Sequence, residues 1–316
     1  MRLGDINDLR HYVAQLFERG EIDLFLGYQE GTLPFRAAPL FVERLEEAEQ
    51  LIWDATCQNN LAVYLREYRD RNVGVLVKGC DARSVVGLLQ ERQLSRERLH
   101  VVGVPCSGVI DPRKVAERLG CSVEEIREGH LEGDGLWVDG ENLALEGVVY
   151  EMCLDCAMRN PVIYDVLLGD PLAETPPSFD HVLEIQSLST DARWAWFTHE
   201  VAKCNLCYAC RNACPLCYCT TCFVESSHPR WLDASVTPEN VQFFQIMRTF
   251  HLAGRCVGCG ACTRACPQGV DLRRLLDKLR LDVQELFGYE AGLDPELSPP
   301  LTTYREDDDN SFIMDR

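Results

Sequence analysis

Apolar residues recur at helical spacing near the start of the chain. Ile6, Leu9, Tyr12, Val13, Leu16 and Phe17 predict a helix over 6–17, and Leu40, Phe41, Leu45, Ala48, Leu51 and Ile52 predict another over 40–53. The pattern then tightens to a β-branched run, VGVLV at 73–77, followed by a helical stretch over 81–89 and a second strand, LHVVG, from Leu99. Strand, helix and strand in that order make a βαβ unit. Asp111 before Pro112 reads as a helix cap with proline in the first turn, opening RKVAERLG with Gly120 as its stop. Leu136–Val138 and Leu143–Leu145 flank an Asp139-Gly140 turn signal, which predicts a hairpin, and 147–151 reads as one more strand. The stretch GDPLAETPPSFD at 169–180 breaks every periodicity and reads as a linker. Beyond it, Trp194, Trp196 and Phe197, and later Phe243, Phe244 and Phe250, lie on helical stretches where core packing accounts for them. The expected plan is an α/β domain with a small parallel or mixed sheet over 1–170, a linker over 171–190, a mostly helical domain over 191–283, and an acidic, Pro-containing tail over 284–316.

The helical part repeats itself. VAKCNLCYACRNACP at 201–215 matches AGRCVGCGACTRACP at 253–267 at a constant offset of 52 residues, each a C-x2-C-x2-C-x3-C-P run. Three thiolates at that spacing wrap an iron-sulfur cube, while the fourth, one residue further on and followed by proline, reaches the neighbouring cube. The ligand sets therefore cross over. Cys204, Cys207, Cys210 and Cys266 form the first expected 4Fe–4S set, and Cys256, Cys259, Cys262 and Cys214 the second. Zinc is the alternative, since pairs of C-x2-C also build four-thiolate zinc sites. A triple spacing closed by proline and repeated unchanged favours the ferredoxin-like dicluster reading.

Composition narrows the partners. Lys and Arg number 31 against 50 Asp and Glu, a formal charge of −19, which repels nucleic acid and anionic lipid alike. MRLGDINDLR has acidic residues where a secretory leader needs an apolar run, and no apolar stretch approaches membrane-spanning length, so a cytoplasmic protein is expected. In that compartment 17 cysteines, an odd number, read as metal ligands rather than disulfides.

Four further thiols belong to the α/β part. Cys80 follows the first strand, Cys106 the second, and Cys153 and Cys156 the expected third, so all would meet at the carboxyl edge of a parallel sheet, where such sheets place ligands. A third 4Fe–4S cluster follows from that placement; the alternative for Cys80 and Cys106 is small buried packing. Of the five remaining cysteines, Cys217, Cys219 and Cys222 lie together in CPLCYCTTC, and Cys57 is a candidate fourth thiolate for an additional metal site, with packing beside the cubes as the other reading. Cys121 reads as a free thiol, and His199, His228 and His251 as ordinary histidines. No G-x-G-x-x-G opens a helix after a strand, so a Rossmann nicotinamide site has no support, and no hydrolase triad stands out.

The order KGCDARS, GVPCSG and CLDC, over roughly 73–170, resembles the carboxyl-terminal domain of the beta subunits of coenzyme F420 hydrogenases and dehydrogenases, a family that includes formate dehydrogenase beta subunits. Here that domain is fused to a two-cluster 4Fe–4S ferredoxin-type domain. The resemblance implies an iron-sulfur cluster on Cys80, Cys106, Cys153 and Cys156. It also implies FAD, for whose phosphate Lys78 and Arg83 are candidates unless they are ordinary solvated charges, and a catalytic dehydrogenase or hydrogenase subunit as partner. A flavin-containing subunit of the heterodisulfide reductase type is a second partner it suggests. The expected function is an electron-transfer subunit of a multisubunit oxidoreductase. A flavoenzyme exchanging hydride with a soluble carrier and a zinc-stapled scaffold are the alternatives.

Overall fold

The computed structural model describes residues 6–132, 135–233, 235–304 and 306. The first five residues and most of the acidic end of the tail lie outside the described residues.

Helix α1 (Ile6–Glu18) forms as its pattern predicts, burying Leu9, Val13 and Leu16. The second expected helix does not form. The chain instead makes a hairpin of β1 (Leu24–Leu33) and β2 (Arg36–Val42), and only Leu45–Gln50 coils, as a short 3-10 turn. Leu40 and Val42 face the core with Phe41 between them half-buried, a two-residue alternation that the helical spacing of 40–53 concealed. Pro39 is tolerated because β2 is an edge strand, where its missing N–H breaks no interior ladder.

The centre is the βαβ unit. β3 (Val73–Val77) is buried at all five positions, and α2 (Gly79–Gln90) leads from it to β4 (Leu99–Gly103), which pairs with β3 in parallel. A strand buried on both faces reads as a continuous apolar run, as VGVLV does. Helix α3 (Pro112–Leu119) has the predicted ends: the Asp111 side chain accepts from the Arg113 amide at 3.0 Å, and Gly120 stops it at φ +66°. A separate antiparallel sheet follows, β5 (Gly129–Glu132), β6 (Gly135–Val138) and β7 (Glu141–Ala144), with Asp139 and Gly140 both at positive φ in the tight turn.

The strand expected over 147–151 is absent. A 3-10 turn over Leu145–Val148, one bridge between Ile110 and Val149, and the short helix α4 (Glu151–Leu154) replace it, because Val148 and Tyr150 fill small cores beside the sheet instead of extending it. The strand that does join β4 is β8 (Val166–Leu167), which follows Cys153 and Cys156 in the chain. The sheet order is β2-β1-β3-β4-β8, a mixed sheet with only β2 antiparallel.

The expected linker contains a helix, α5 (Asp180–Gln186), which packs on the last helix through His181 Nε2, 3.0 Å from Asp277 Oδ2. Helices α6 (Thr190–Val201), α7 (Ala209–Asn212), α8 (Pro238–Phe250), α9 (Ala261–Ala265) and α10 (Leu272–Phe287) build the second half. The two halves share one core that runs from the sheet through Leu216, Phe244 and Leu276. Glu91 of α2 takes both Nε (2.5 Å) and Nη2 (2.7 Å) of Arg255, and Tyr218 also bonds to it. Past α10 the chain turns back along α2, where Arg83 donates to the Ala291 carbonyl and Gln90 to those of Asp294 and Leu297. Trp194 and Phe250, expected in the core, are more than half exposed and line a surface groove between α6, α8 and α10. Among the described residues no helix is long and apolar enough to cross a membrane.

Candidate metal centres

The repeat in sequence is a repeat in backbone. Leu206 and Tyr208 of the first loop have φ of +56° and +61°, and their counterparts at the 52-residue offset, Gly258 and Gly260, have +70° and +68°. Each loop then enters a short helix, α7 or α9, and the two helices pack on one another. Left-handed residues between cysteines curl the loop so that successive amides point inward, a concavity that suits an anionic cluster. Leu206 and Tyr208 hold that conformation without the glycine that makes it cheap, so the surrounding packing imposes it.

One small cavity is walled by Cys256, Cys259, Cys262 and Cys214, with Pro215 and Gly258 beside them. These are the four thiols of the second crossed set. For the first set, Cys210 has Cys204 and Cys266 among its electrostatic neighbours, while Cys207 is exposed. Cys204 Sγ accepts from the Leu206 amide at 3.4 Å and from Gln245 Nε2 at 3.3 Å, and Cys266 Sγ from the Val270 amide at 3.3 Å.

A second small cavity is walled by Cys80, Cys106, Cys153 and Cys156. The convergence predicted for these thiols is present, though by another route. Cys80 opens α2 at the end of β3 and Cys106 follows β4, but Cys153 and Cys156 arrive on α4 and the turn after it rather than from a strand end. Gly79 is what admits that turn: a Cβ there would lie 2.2 Å from the Met158 carbonyl oxygen. Gly258, Cys259 and Arg264 line this cavity too, so the two lie back to back across the Gly258–Cys259 segment.

Burial pushes the thiols of Cys106, Cys210 and Cys256 up to about 12, and those of Cys80 and Cys214 well above the ordinary value. Such groups ionise only when a cation takes the proton's place, which is how thiolate metal sites couple binding to proton release. Among the described residues no three Cys, His, Asp or Glu side chains converge tightly enough for a single ion.

Cys217, Cys219 and Cys222 do neighbour one another beside Arg248 and Arg211. Cys57 does not join them: it is sealed in the sheet domain with Asp54, Lys78 and Cys106 around it. Nor are Lys78 and Arg83 free for a phosphate. The Lys78 ammonium donates to Tyr28 Oη (2.7 Å), the Asn59 carbonyl (2.6 Å) and Asp81 Oδ2 (2.8 Å), which uses all three donors. Arg83 is buried against the Ala291 carbonyl and Glu290.

Three arginines beside the thiol loops, one of them fully buried, escaped the reading of the sequence. Arg248 is 2% exposed; its Nη2 donates to the Cys210 carbonyl at 3.0 Å, while Nε and Nη1 have no hydrogen-bond partner. Arg264 donates from Nη1 to the Cys259 carbonyl at 2.6 Å and leaves Nη2 buried without a partner. Arg280 lies on Gly258, bonded to Asp277 at 2.7 Å. The signal for Arg248 was its position: Val241, Phe244, Gln245, Arg248 and Thr249 form one buried stripe of α8, and a charge on that stripe needs a counter-charge.

Paired four-cysteine loops beside a thiol-walled cavity are an arrangement suited to iron-sulfur clusters. Residues 200–270 match the family model described as a 4Fe-4S dicluster domain. The chain is also similar, at 23% identity and over 90% of its length, to the F420-dependent formate dehydrogenase subunit beta of Methanocaldococcus jannaschii, of which it covers 91%. It is 23% identical to the F420-dependent formate dehydrogenase 1 subunit beta of Methanococcus maripaludis, again over 90% of each chain. A chain in the structure of the F420-reducing NiFe hydrogenase complex from Methanosarcina barkeri matches 48% of this chain and 58% of its own length, with a TM-score of 0.37 and 17% identity. The likeness to the beta subunits thus extends over both halves of the chain.

Proposed function

We propose that this chain is the iron-sulfur electron-transfer subunit of an oxidoreductase complex. It would hold three 4Fe–4S clusters, on Cys204, Cys207, Cys210 and Cys266, on Cys256, Cys259, Cys262 and Cys214, and on Cys80, Cys106, Cys153 and Cys156. The observation that carries the reading is the pair of thiol-walled cavities back to back across Gly258–Cys259, one from each half of the chain. Such clusters supply single-electron transfer at potentials set by charge, hydrogen bonds and exposure. The protein's part is to fix them close together in a buried, low-dielectric core and to leave one end, at Cys207, open to solvent. Substrate chemistry then belongs to a partner, and the relatives point to a catalytic dehydrogenase subunit. A heterodisulfide reductase type subunit on the other side is a further proposal resting on the resemblance alone.

A second reading, with FAD bound, is favoured by a cleft of about 520 Å³ that touches Ala213, Ala261 and Ala265 beside the thiol loops. Arg36, Arg113 and Arg264 line it together with Tyr64 and Tyr150. Cations and aromatic faces suit a flavin nucleotide, and here, not at Lys78 or Arg83, its pyrophosphate would be held. A flavin in this cleft would accept a hydride and be placed beside the thiol loops to pass electrons on singly.

One anaerobic preparation tests both readings. Iron, acid-labile sulfide, zinc and flavin are measured per chain, and about twelve iron and twelve sulfide are expected from three cubes. Eight of each would remove the cluster in the sheet domain, and stoichiometric zinc without sulfide would restore the scaffold alternative. Bound flavin would place the hydride step in this subunit.

A further inference from the structure

Gln245 is a polar side chain that core packing does not account for. It lies on the buried stripe of α8 and is 1% exposed. Its Nε2 donates to Cys204 Sγ at 3.3 Å, while its Oε1 is buried without a hydrogen-bond partner among the described residues. An unpaired buried carbonyl oxygen costs stability, and a leucine in the same place would carry no such penalty. The contact with the sulfur is what a glutamine offers here and an apolar residue does not.

That contact has a defined sense. Turned the other way, the amide would set its oxygen against the sulfur, acceptor facing acceptor. Cys204 Sγ also accepts from the Leu206 amide at 3.4 Å, and Cys266 Sγ from the Val270 amide at 3.3 Å. Those donors belong to the backbone beside each cysteine, where the course of the loop supplies them. Gln245 reaches Cys204 from 41 residues further along the chain and from outside both cysteine runs. It does so in the set whose Cys207 is exposed, at the open end of the thiol sites. Hydrogen bonds to the sulfurs are among the quantities that set a cluster's potential. Reduction there adds one electron and breaks no bond, so the sulfurs gain negative charge. An N–H aimed at a sulfur gains with that charge, and in a buried contact water does not make up for its loss.

We infer that Gln245 is a positioning residue for electron transfer: its amide, held by α8 against Cys204 Sγ, raises the reduction potential of the cluster on Cys204, Cys207, Cys210 and Cys266 above what the loop amides alone would give. The exposed end of the chain is thereby better able to take up an electron and keep it until a partner removes it. This rests on the iron-sulfur reading of the preceding subsection.

The test uses the anaerobic holoprotein, with iron and sulfide counted on every sample and potentials read by redox titration followed by electron paramagnetic resonance. Cys207→Ser changes a ligand of this set alone, so the signal it alters or removes belongs to this cluster. Gln245→Met, of similar length and without a donor, should move that signal and no other. Reduction should be disfavoured by about tenfold, which for a one-electron couple is about 59 mV downward. Thr249 Oγ1 donates to the main-chain oxygen of Gln245 at 2.7 Å, so Thr249→Val disturbs the same turn of α8, leaves the side-chain amide in place and should leave the potential where it was. In the wild type, 15N placed in the glutamine side-chain amides should couple to the reduced cluster in pulsed electron paramagnetic resonance, which decides even where Gln245→Met does not load its clusters. A loaded wild type without that coupling, a loaded Gln245→Met without a shift, or an equal shift in Thr249→Val overturns the inference. A wild type that carries no iron and sulfide overturns the iron-sulfur reading instead.

Discussion

At Asp277 one carboxylate, two guanidinium groups and the His181 ring are packed into one contact. Burial alone would raise this carboxyl, but His181, Arg280 and Arg273 around it hold it below its ordinary value. A carboxylate with a depressed value stabilises the fold fully above its unfolded value, about 3.9, and the benefit is lost as the pH falls through the lower folded value. Asp277→Asn leaves Arg273 and Arg280 of α10 with only their second carboxylates, Asp155 and Glu290, so a loss of about 1–3 kcal/mol is expected at neutral pH, less than removal of a sole buried partner would cost. Anaerobic denaturant unfolding should show this gap unchanged down to about pH 5 and narrowing below about pH 4. A gap that does not depend on acid would mean that the substitution acts through packing. The same scale explains which site residues could be read in advance. Cysteine spacing is local and chemically narrow, so the loops Cys204 to Cys214 and Cys256 to Cys266 could be picked out as 4Fe–4S motifs from the chain alone, in the region that matches the family model. Arg248 and Arg264 matter only through neighbours distant in sequence, as do the contacts that take Lys78 and Arg83 away from any ligand.

Among the elements, those with explicit end signals formed where they were expected. Asp111, Pro112 and Gly120 bound α3, and Asp139-Gly140 turns β6 into β7. Elements defined by short apolar runs were less secure. LFV and its neighbours fit both a helical stripe and an edge strand, and pairing with β1, a contact outside any local window, decided for the strand. At 147–151 the valines serve small side cores, and the strand that completes the sheet, β8, is only two residues long and too short to leave a pattern. The segment after α10 gave no periodicity either, because it is held by carbonyls that accept from Arg83 and Gln90 and by two isolated core side chains, Tyr289 and Ala291, too few to leave a pattern. Its register depends on Gly292, at φ +75°, where a Cβ would lie 2.3 Å from the Arg83 carbonyl oxygen. Gly292→Val should therefore peel this segment from α2 and cost about 1–3 kcal/mol of stability. Limited proteolysis should cut near 288–304 in the variant well before it cuts the wild type; equal rates would show that the strap contributes nothing to holding the halves together.

For the molecule as a whole, charge and the order of the thiol sites bear on how electrons leave. Cys80 has Cys259 among its neighbours and Cys210 has Cys262, which sets the sequence of sites as sheet domain, middle, then the Cys204 loop with exposed Cys207 at its end. The chain carries −19 before any metal is bound. Twelve thiolates would add −12 and three oxidised cores of charge 2+ would return +6, so the loaded protein is near −25 from its −19 start. Its exposed end therefore sits in a strongly negative field, which concentrates cations and repels anions within a Debye length of about 10 Å at 0.1 M salt. Reduced protein mixed with hexaammineruthenium(III), a trication, should be oxidised more slowly as salt is raised. Ferricyanide, a trianion, should react faster under the same change, so stopped-flow traces of the two oxidants should converge at high ionic strength. Parallel salt responses would mean that the acidic surface lies away from the Cys207 end, and the basic face expected of a docking partner would then have no counterpart there.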